Sequence, residues 1–209
     1  MRTTTIAARH SRGSWLSWAA LVGALALALL ALTLTAPAAQ ANAERGAATK
    51  VTGGQTLLRL DGGTAAALTG AGVSVRATGS ALGPASSPVF TFPITGGEVN
   101  KNRLSGRIVH TGGLAFKAGG TRVVVKNFVI NLNSGRLTAE VAGAGVRIPL
   151  LKIGDVGGVN SAPGILVLRG VETTLTPTAA AALNDAFNTD LFAGGLPIGK
   201  ATVIARTAR

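Results

Sequence analysis

The stretch Leu104-Ser-Gly-Arg-Ile-Val-His110-Thr-Gly-Gly-Leu-Ala-Phe116 places two short apolar runs on either side of a paired glycine. In an extended chain, successive side chains point to opposite faces. Leu104, Gly106, Ile108 and His110 therefore share one face, and Ser105, Arg107 and Val109 the other. One apolar and one polar face, closed by a turn, is the pattern of a half-buried strand in an antiparallel sheet. Gly106, lacking a Cβ, leaves room for a neighbouring chain or a ligand to come close.

The same punctuation runs through the chain. Paired glycines fall at 53–54, 62–63, 96–97, 112–113, 119–120, 157–158 and 194–195, and they supply positive φ at turns and bulges without steric cost. Between them lie β-prone runs, predicted at Thr56–Leu60, Val73–Ala77, Val89–Ile94, Leu104–His110 and Leu114–Lys117. Further strands are predicted at Thr121–Asn131, Arg136–Val141, Val146–Ile153, Ile165–Leu175 and Ala201–Ala205. Asn133-Ser134-Gly135 is a hairpin turn, since Asn and Gly tolerate the left-handed region. Two alanine-rich pieces, from Thr64 to Leu68 and from Thr178 to Phe187, read as short helices; Thr176 caps the second, with Pro177 at its first position. Regular turns between short strands give an all-β antiparallel sandwich, or a sandwich-like barrel, with one or two short helices. Residues 56–207 form its single domain, and residues 44–55, small and polar, read as a flexible lead-in.

Residues 1–43 have the three parts of a secretory signal peptide. Arg2, Arg9 and Arg12 precede the apolar run Ala19–Leu32, and Ala39-Gln40-Ala41 or Ala41-Asn42-Ala43 offers the small-residue cleavage site. The run approaches the ~20 residues of a membrane span, but Pro37 and the alanine-rich end favour cleavage. Membrane contact is expected only through this leader, and the product is expected to be secreted or associated with the cell wall. The chain carries a formal charge of +12, and without the three leader arginines it carries +9. That excess favours anionic partners such as cell-wall polymers. The basic residues are scattered and no aromatic residues interleave them, so nucleic acid is not an expected partner. Cysteine and tyrosine are absent and both tryptophans, Trp15 and Trp18, lie in the leader. Stability must therefore come from packing rather than disulfides.

No reaction is written in local motifs. The eight acids are spread singly, with no pair placed on one strand or helix face, so general acid–base work has no local constellation. There is no Gly-x-Ser-x-Gly elbow, and one histidine without cysteine makes no metal set. The chain is expected to be non-catalytic. His110, alone among imidazoles after the leader, has two readings. It is a structural residue bonding the turn backbone, or a ligand-facing imidazole at a pocket mouth where a metal or haem contact could form.

Four segments carry a family resemblance: Gly106 to Phe116, Val123 to Ile130, Leu137 to Val141, and Phe187 to Gly199. Together they resemble the HtaA domain of exported actinobacterial proteins, over Thr56 to Ala205. The resemblance implies a β-rich domain that binds haem at the cell surface and passes it to an import system, with His110 at the family's histidine position. Arg107 or Lys117, on their proximity in sequence alone, would then meet the haem propionates; solvated strand faces are the alternative for both. The family's tyrosine has no counterpart here, and Leu57-Leu-Arg-Leu60 stands where the family has an early tryptophan. Haem, or another flat ligand with apolar and anionic parts, is the implied ligand. A structural or adhesive envelope module without a small ligand is the competing expectation.

Overall fold

Alternation of inward and outward side chains organises the computed structural model, which describes residues 46–83 and 88–209. The expected signal peptide lies outside the described residues. In chain order the elements are β1 (Thr49–Leu60), α1 (Gly62–Gly70), β2 (Ser74–Thr78), β3 (Val89–Asn100), β4 (Ser105–His110), β5 (Gly113–Ala118) and β6 (Thr121–Asn131). Then come β7 (Arg136–Val141), β8 (Val146–Ile153), β9 (Gly158–Ala162), β10 (Ile165–Leu175), α2 (Pro177–Phe187) and β11 (Pro197–Thr207).

The hydrogen-bonded order β6-β4-β3-β1-β11-β10-β8-β7 returns to β6 through its pairing with β7, which closes an eight-stranded antiparallel barrel. Of the two architectures expected, the barrel is the one formed. Closure leaves no strand edge in the ring. Three strands lie outside it: β5 pairs with the first half of β6 and carries β2, and β9 pairs with the first half of β10. Inward positions lining the central cavity are apolar apart from Thr56 on β1, His110 on β4 and Thr173 on β10. Phe90, Phe92 and Ile94 of β3 are buried, as are Phe128 and Ile130 of β6 and Leu166, Leu168 and Val171 of β10.

Both helices leave the same end of the barrel, because β1 and β10 each run antiparallel to β11 and are followed by α1 and α2. Asp61 caps α1 by accepting from the Thr64 amide at 2.9 Å. Thr176 caps α2 as expected, accepting from the Ala179 amide at 3.1 Å with Pro177 in the first turn. Leu68 of α1 and Leu183 of α2 are buried against the barrel interior. The opposite end carries turns. At the β6–β7 turn, Asn131 Oδ1 accepts from the amides of Asn133 and Ser134, and Gly135 has φ 59°.

The chain departs from expectation at its start. Residues 49–55, read as lead-in, are the first half of β1 and pair with both β3 and β11. Their small polar composition reflects close strand approach rather than looseness. A Cβ at Gly54, where φ is +122°, would lie 2.0 Å from the Ile204 carbonyl oxygen. β9 was not expected. It is an edge strand whose residues Val159, Asn160 and Ser161 are all exposed, so it leaves no alternating pattern. Among the described residues no helix is long and apolar enough to cross a membrane.

Candidate functional site

β6 changes partners along its length, and that change builds the site. Its first half pairs with β5 as far as Lys126 opposite Gly113; from Val129 it pairs with β4. Between these, Asn127 and Phe128 form a bulge relative to β7, and Asn127 has φ 55°. The Asn127 amide donates to Gly112 O at 3.0 Å, which ties the bulge to the glycine pair that ends β4. A bulge breaks the ladder locally and leaves backbone groups to be satisfied otherwise.

His110, the last residue of β4, provides the partner from inside. It is only 3% exposed. Its Nδ1 lies 3.3 Å from the Phe128 carbonyl oxygen, and its Nε2 lies 2.8 Å from Thr56 Oγ1 on β1. A carbonyl oxygen can only accept, so Nδ1 carries the proton. In the neutral ring Nε2 then accepts from the Thr56 hydroxyl. Burial lowers the His110 pKa to about 4, with the backbone contacts to Phe128 and Ile108 opposing that shift. The imidazole is therefore neutral at physiological pH. The Phe92 ring meets Phe128 edge-on, with centroids 5.1 Å apart.

Polar groups brace the bulge from outside. Asn127 Nδ2 donates to Glu140 Oε2 at 2.9 Å, Lys126 Nζ lies 3.2 Å from Glu140 Oε1, and Arg147 donates to the Asn127 carbonyl at 2.8 Å. The Asn127 hydrogen bond first, and then Lys126, hold the Glu140 carboxyl below its ordinary pKa.

The His110–Thr56 pair forms part of the wall of a cavity of about 110 Å³ inside the barrel. The rest of the wall is aliphatic and aromatic, apart from Thr64 and Thr173. All four polar side chains are already engaged: Thr56 and His110 with each other, Thr64 Oγ1 with Pro197 O, and Thr173 Oγ1 with Gly199 O at 2.9 Å. Among the described residues, the chamber presents no free hydrogen-bonding side chain to a guest.

The three residues singled out from sequence do not come together. His110 faces inward, whereas Arg107 and Lys117 are exposed on the outer face of the wall. Arg107 stands opposite Glu98 and Asn131, and Lys117 opposite Ser74 and Arg122. Thr56, Asn127, Phe128 and Glu140 were not foreseen. Thr56 alone left a trace, as the polar member of the inward series Thr56, Leu58, Leu60.

As folded, the residues present do not fit a haem ligated through His110. Both ring nitrogens are in use, no phenol is available, and the chamber is well below the ~300–1,000 Å³ typical of small-molecule pockets.

No family model matches the sequence, and no curated protein matches it. Among solved structures, the chain is similar to the C-terminal domain of HtaA from Corynebacterium glutamicum. The TM-score is 0.60 at 18% identity, over 77% of this chain and 99% of that domain. A domain-swapped dimer of a variant of the same domain is also matched, with TM-score 0.46 and 15% identity, over 98% of this chain and 100% of that one. The fold of this chain is therefore HtaA-like.

Proposed function

We propose that the chain is an exported, non-catalytic binding domain that holds an apolar ligand inside its barrel. The observation that carries this reading is a chamber whose every polar wall group is already bonded within the wall. Eight-stranded barrels have interiors that are either filled by side chains or hold one small ligand. Apolar cavities of ~150 Å³ stay dry and accept small apolar guests. In this reading His110 stiffens the wall: it satisfies the Phe128 carbonyl and keeps the Thr56 hydroxyl from the chamber. Haem ligation through His110, which the family resemblance implies, is tested beside it.

Residues Arg45–Arg209 form one unit with its own core, so the domain can be titrated without the leader. With haemin, the expected result is that any Soret change is the same for the wild type and for His110→Ala. With hexanol, calorimetry is expected to show saturable binding near one equivalent. A Soret shift that His110→Ala abolishes, together with no hexanol binding, would replace this reading with the haem one.

A further inference from the structure

One end of the barrel is covered by α1 and α2; the other joins an apolar rim to a cationic one. Four chamber-lining aliphatics there remain half-buried: Leu132, Leu137, Ile153 and Val156, in the β6–β7 turn, on β7 and β8, and in the β8–β9 bend. Just outside them, strand register sets a row of outward side chains. Arg107 of β4 faces Asn131 of β6, Asn131 faces Arg136 of β7, and Arg136 faces Lys152 of β8. Arg103 lies in the neighbouring β3–β4 turn, and all four basic side chains are exposed.

Like charges directly opposite each other on adjacent strands are destabilising, and Arg136 and Lys152 are such a pair. The acids near this end do not neutralise them. Glu98 stands opposite Arg107 without an ion pair, Asp155 lies in the bend, and Glu172 beside the bend is held by Lys200 at 3.4 Å. Among the described residues the salt bridges are Lys126–Glu140 and Lys200–Glu172. The cationic rim is thus left for a partner from outside, and long basic side chains can lay their stems along an apolar mouth while presenting their charge.

The chamber adds shape to this chemistry. Its wall reaches from Leu60, Leu68 and Ile198 at the helix-covered end to Leu132 and Ile153 at the other, yet it encloses only about 110 Å³. A chamber of that size takes a short alkyl chain and not a large flat ring. We propose that the ligand is a single-chain anionic amphiphile, its alkyl tail in the barrel and its carboxylate or phosphate head at Arg136 and Lys152, flanked by Arg103 and Arg107. This rests on the apolar-chamber reading above and adds the head-group site to it.

Calorimetry with hexanoate, hexyl phosphate, hexanol and inorganic phosphate separates the parts. The variants are Arg136→Glu/Lys152→Glu, which reverses the rim, and Ala201→Phe, which fills the chamber, each checked for native circular dichroism. Hexanoate and hexyl phosphate are expected to bind the wild type and to weaken about tenfold or more on rim reversal, with a salt dependence that the reversal removes. Hexanol is expected to be indifferent to the rim, inorganic phosphate not to bind, and Ala201→Phe to abolish binding of all three chains. Unchanged hexanoate affinity after rim reversal, with hexanol still bound, overturns the head-group site and leaves the chamber reading standing. If hexanol also fails to bind, the chamber reading itself falls. Inorganic phosphate binding as tightly as hexyl phosphate would overturn the amphiphile in favour of a free anion.

Discussion

Gly106→Ala is expected to remove on the order of 4 kcal/mol of stability and leave the domain largely unfolded at modest denaturant. Two effects add. Gly106 has φ +110°, and a Cβ there would lie 2.1 Å from the Glu98 carbonyl oxygen and 2.9 Å from Val99 Cα. A side chain in this backbone region costs ~1–3 kcal/mol, and forcing apart a packed strand pair costs ~1–3 kcal/mol more. The sum is a large share of the ~5–15 kcal/mol of a typical domain. Gly120→Ala is the control, because a Cβ there meets nothing within 4 Å and its φ is not positive; its effect should stay within about 0.5 kcal/mol. With no tyrosine, and both tryptophans at positions 15 and 18, outside the folded barrel strands, far-ultraviolet circular dichroism during guanidinium unfolding is the measurement. Equal midpoints for the two variants would contradict the close β3–β4 approach.

The Thr56–His110 pair gives the second large effect. Thr56→Val leaves Nε2 without its donor inside the barrel, and His110→Leu leaves the Thr56 hydroxyl and the Phe128 carbonyl unpaired. Each unsatisfied buried group costs ~1–3 kcal/mol. The double variant removes both members of the pair, so its loss should fall short of the sum of the single losses by ~1–2 kcal/mol. Additive losses would mean that the two side chains do not interact.

The same pair makes stability depend on pH in a defined direction. His110 titrates near its ordinary value of 6.5 in the unfolded chain and at about 4 in the fold. Between those values the unfolded state binds more protons, so acid favours unfolding. Stability should fall as pH drops from 6.5 towards 4, by ~1.4 kcal/mol per unit and ~3 kcal/mol in all. His110→Leu should lack this component, leaving only the carboxylate titrations common to both proteins. Matching pH profiles from unfolding at pH 4, 5, 6 and 7 would show that His110 is not buried as a neutral ring.

Much of the fold was legible because barrel strands advertise themselves through alternation. Thr121–Asn131, Arg136–Val141, Val146–Ile153 and Ile165–Leu175 have the boundaries that the pattern predicts. The Ile108 and His110 face is the buried one, with Arg107 outside. Elsewhere the pattern fades for physical reasons. The first half of β1 carries Gly53 and Gly54 where a turn is the simplest reading, yet Gly54 is there because β11 passes too close for a side chain. β9 hides because an edge strand exposed on both faces has no apolar phase.

The site was harder to read. His110 stood out by being alone, but its partners come from 54 residues before and 18 residues after it, a separation that no local motif records. The bulge that frees the Phe128 carbonyl depends on β6 exchanging β5 for β4, which is a property of the closed barrel. The cationic rim was equally invisible. Arg107, Arg136 and Lys152 are scattered in sequence, and only cross-strand register lines them up.

The chamber is the centre of this account, and methyl NMR of residues 45–209 titrated with hexanol tests it most directly. The methyl groups of Leu137, Leu151 and Val203, which face the chamber, are predicted to shift together and to show contacts to the alkyl chain. Those of Val146 and Val159, 51% and 46% exposed on the outside of the barrel, are predicted to stay where they are. Shifts confined to Val146, Val159 or the exposed Leu82, with the inner methyls unmoved, would contradict a ligand inside the barrel.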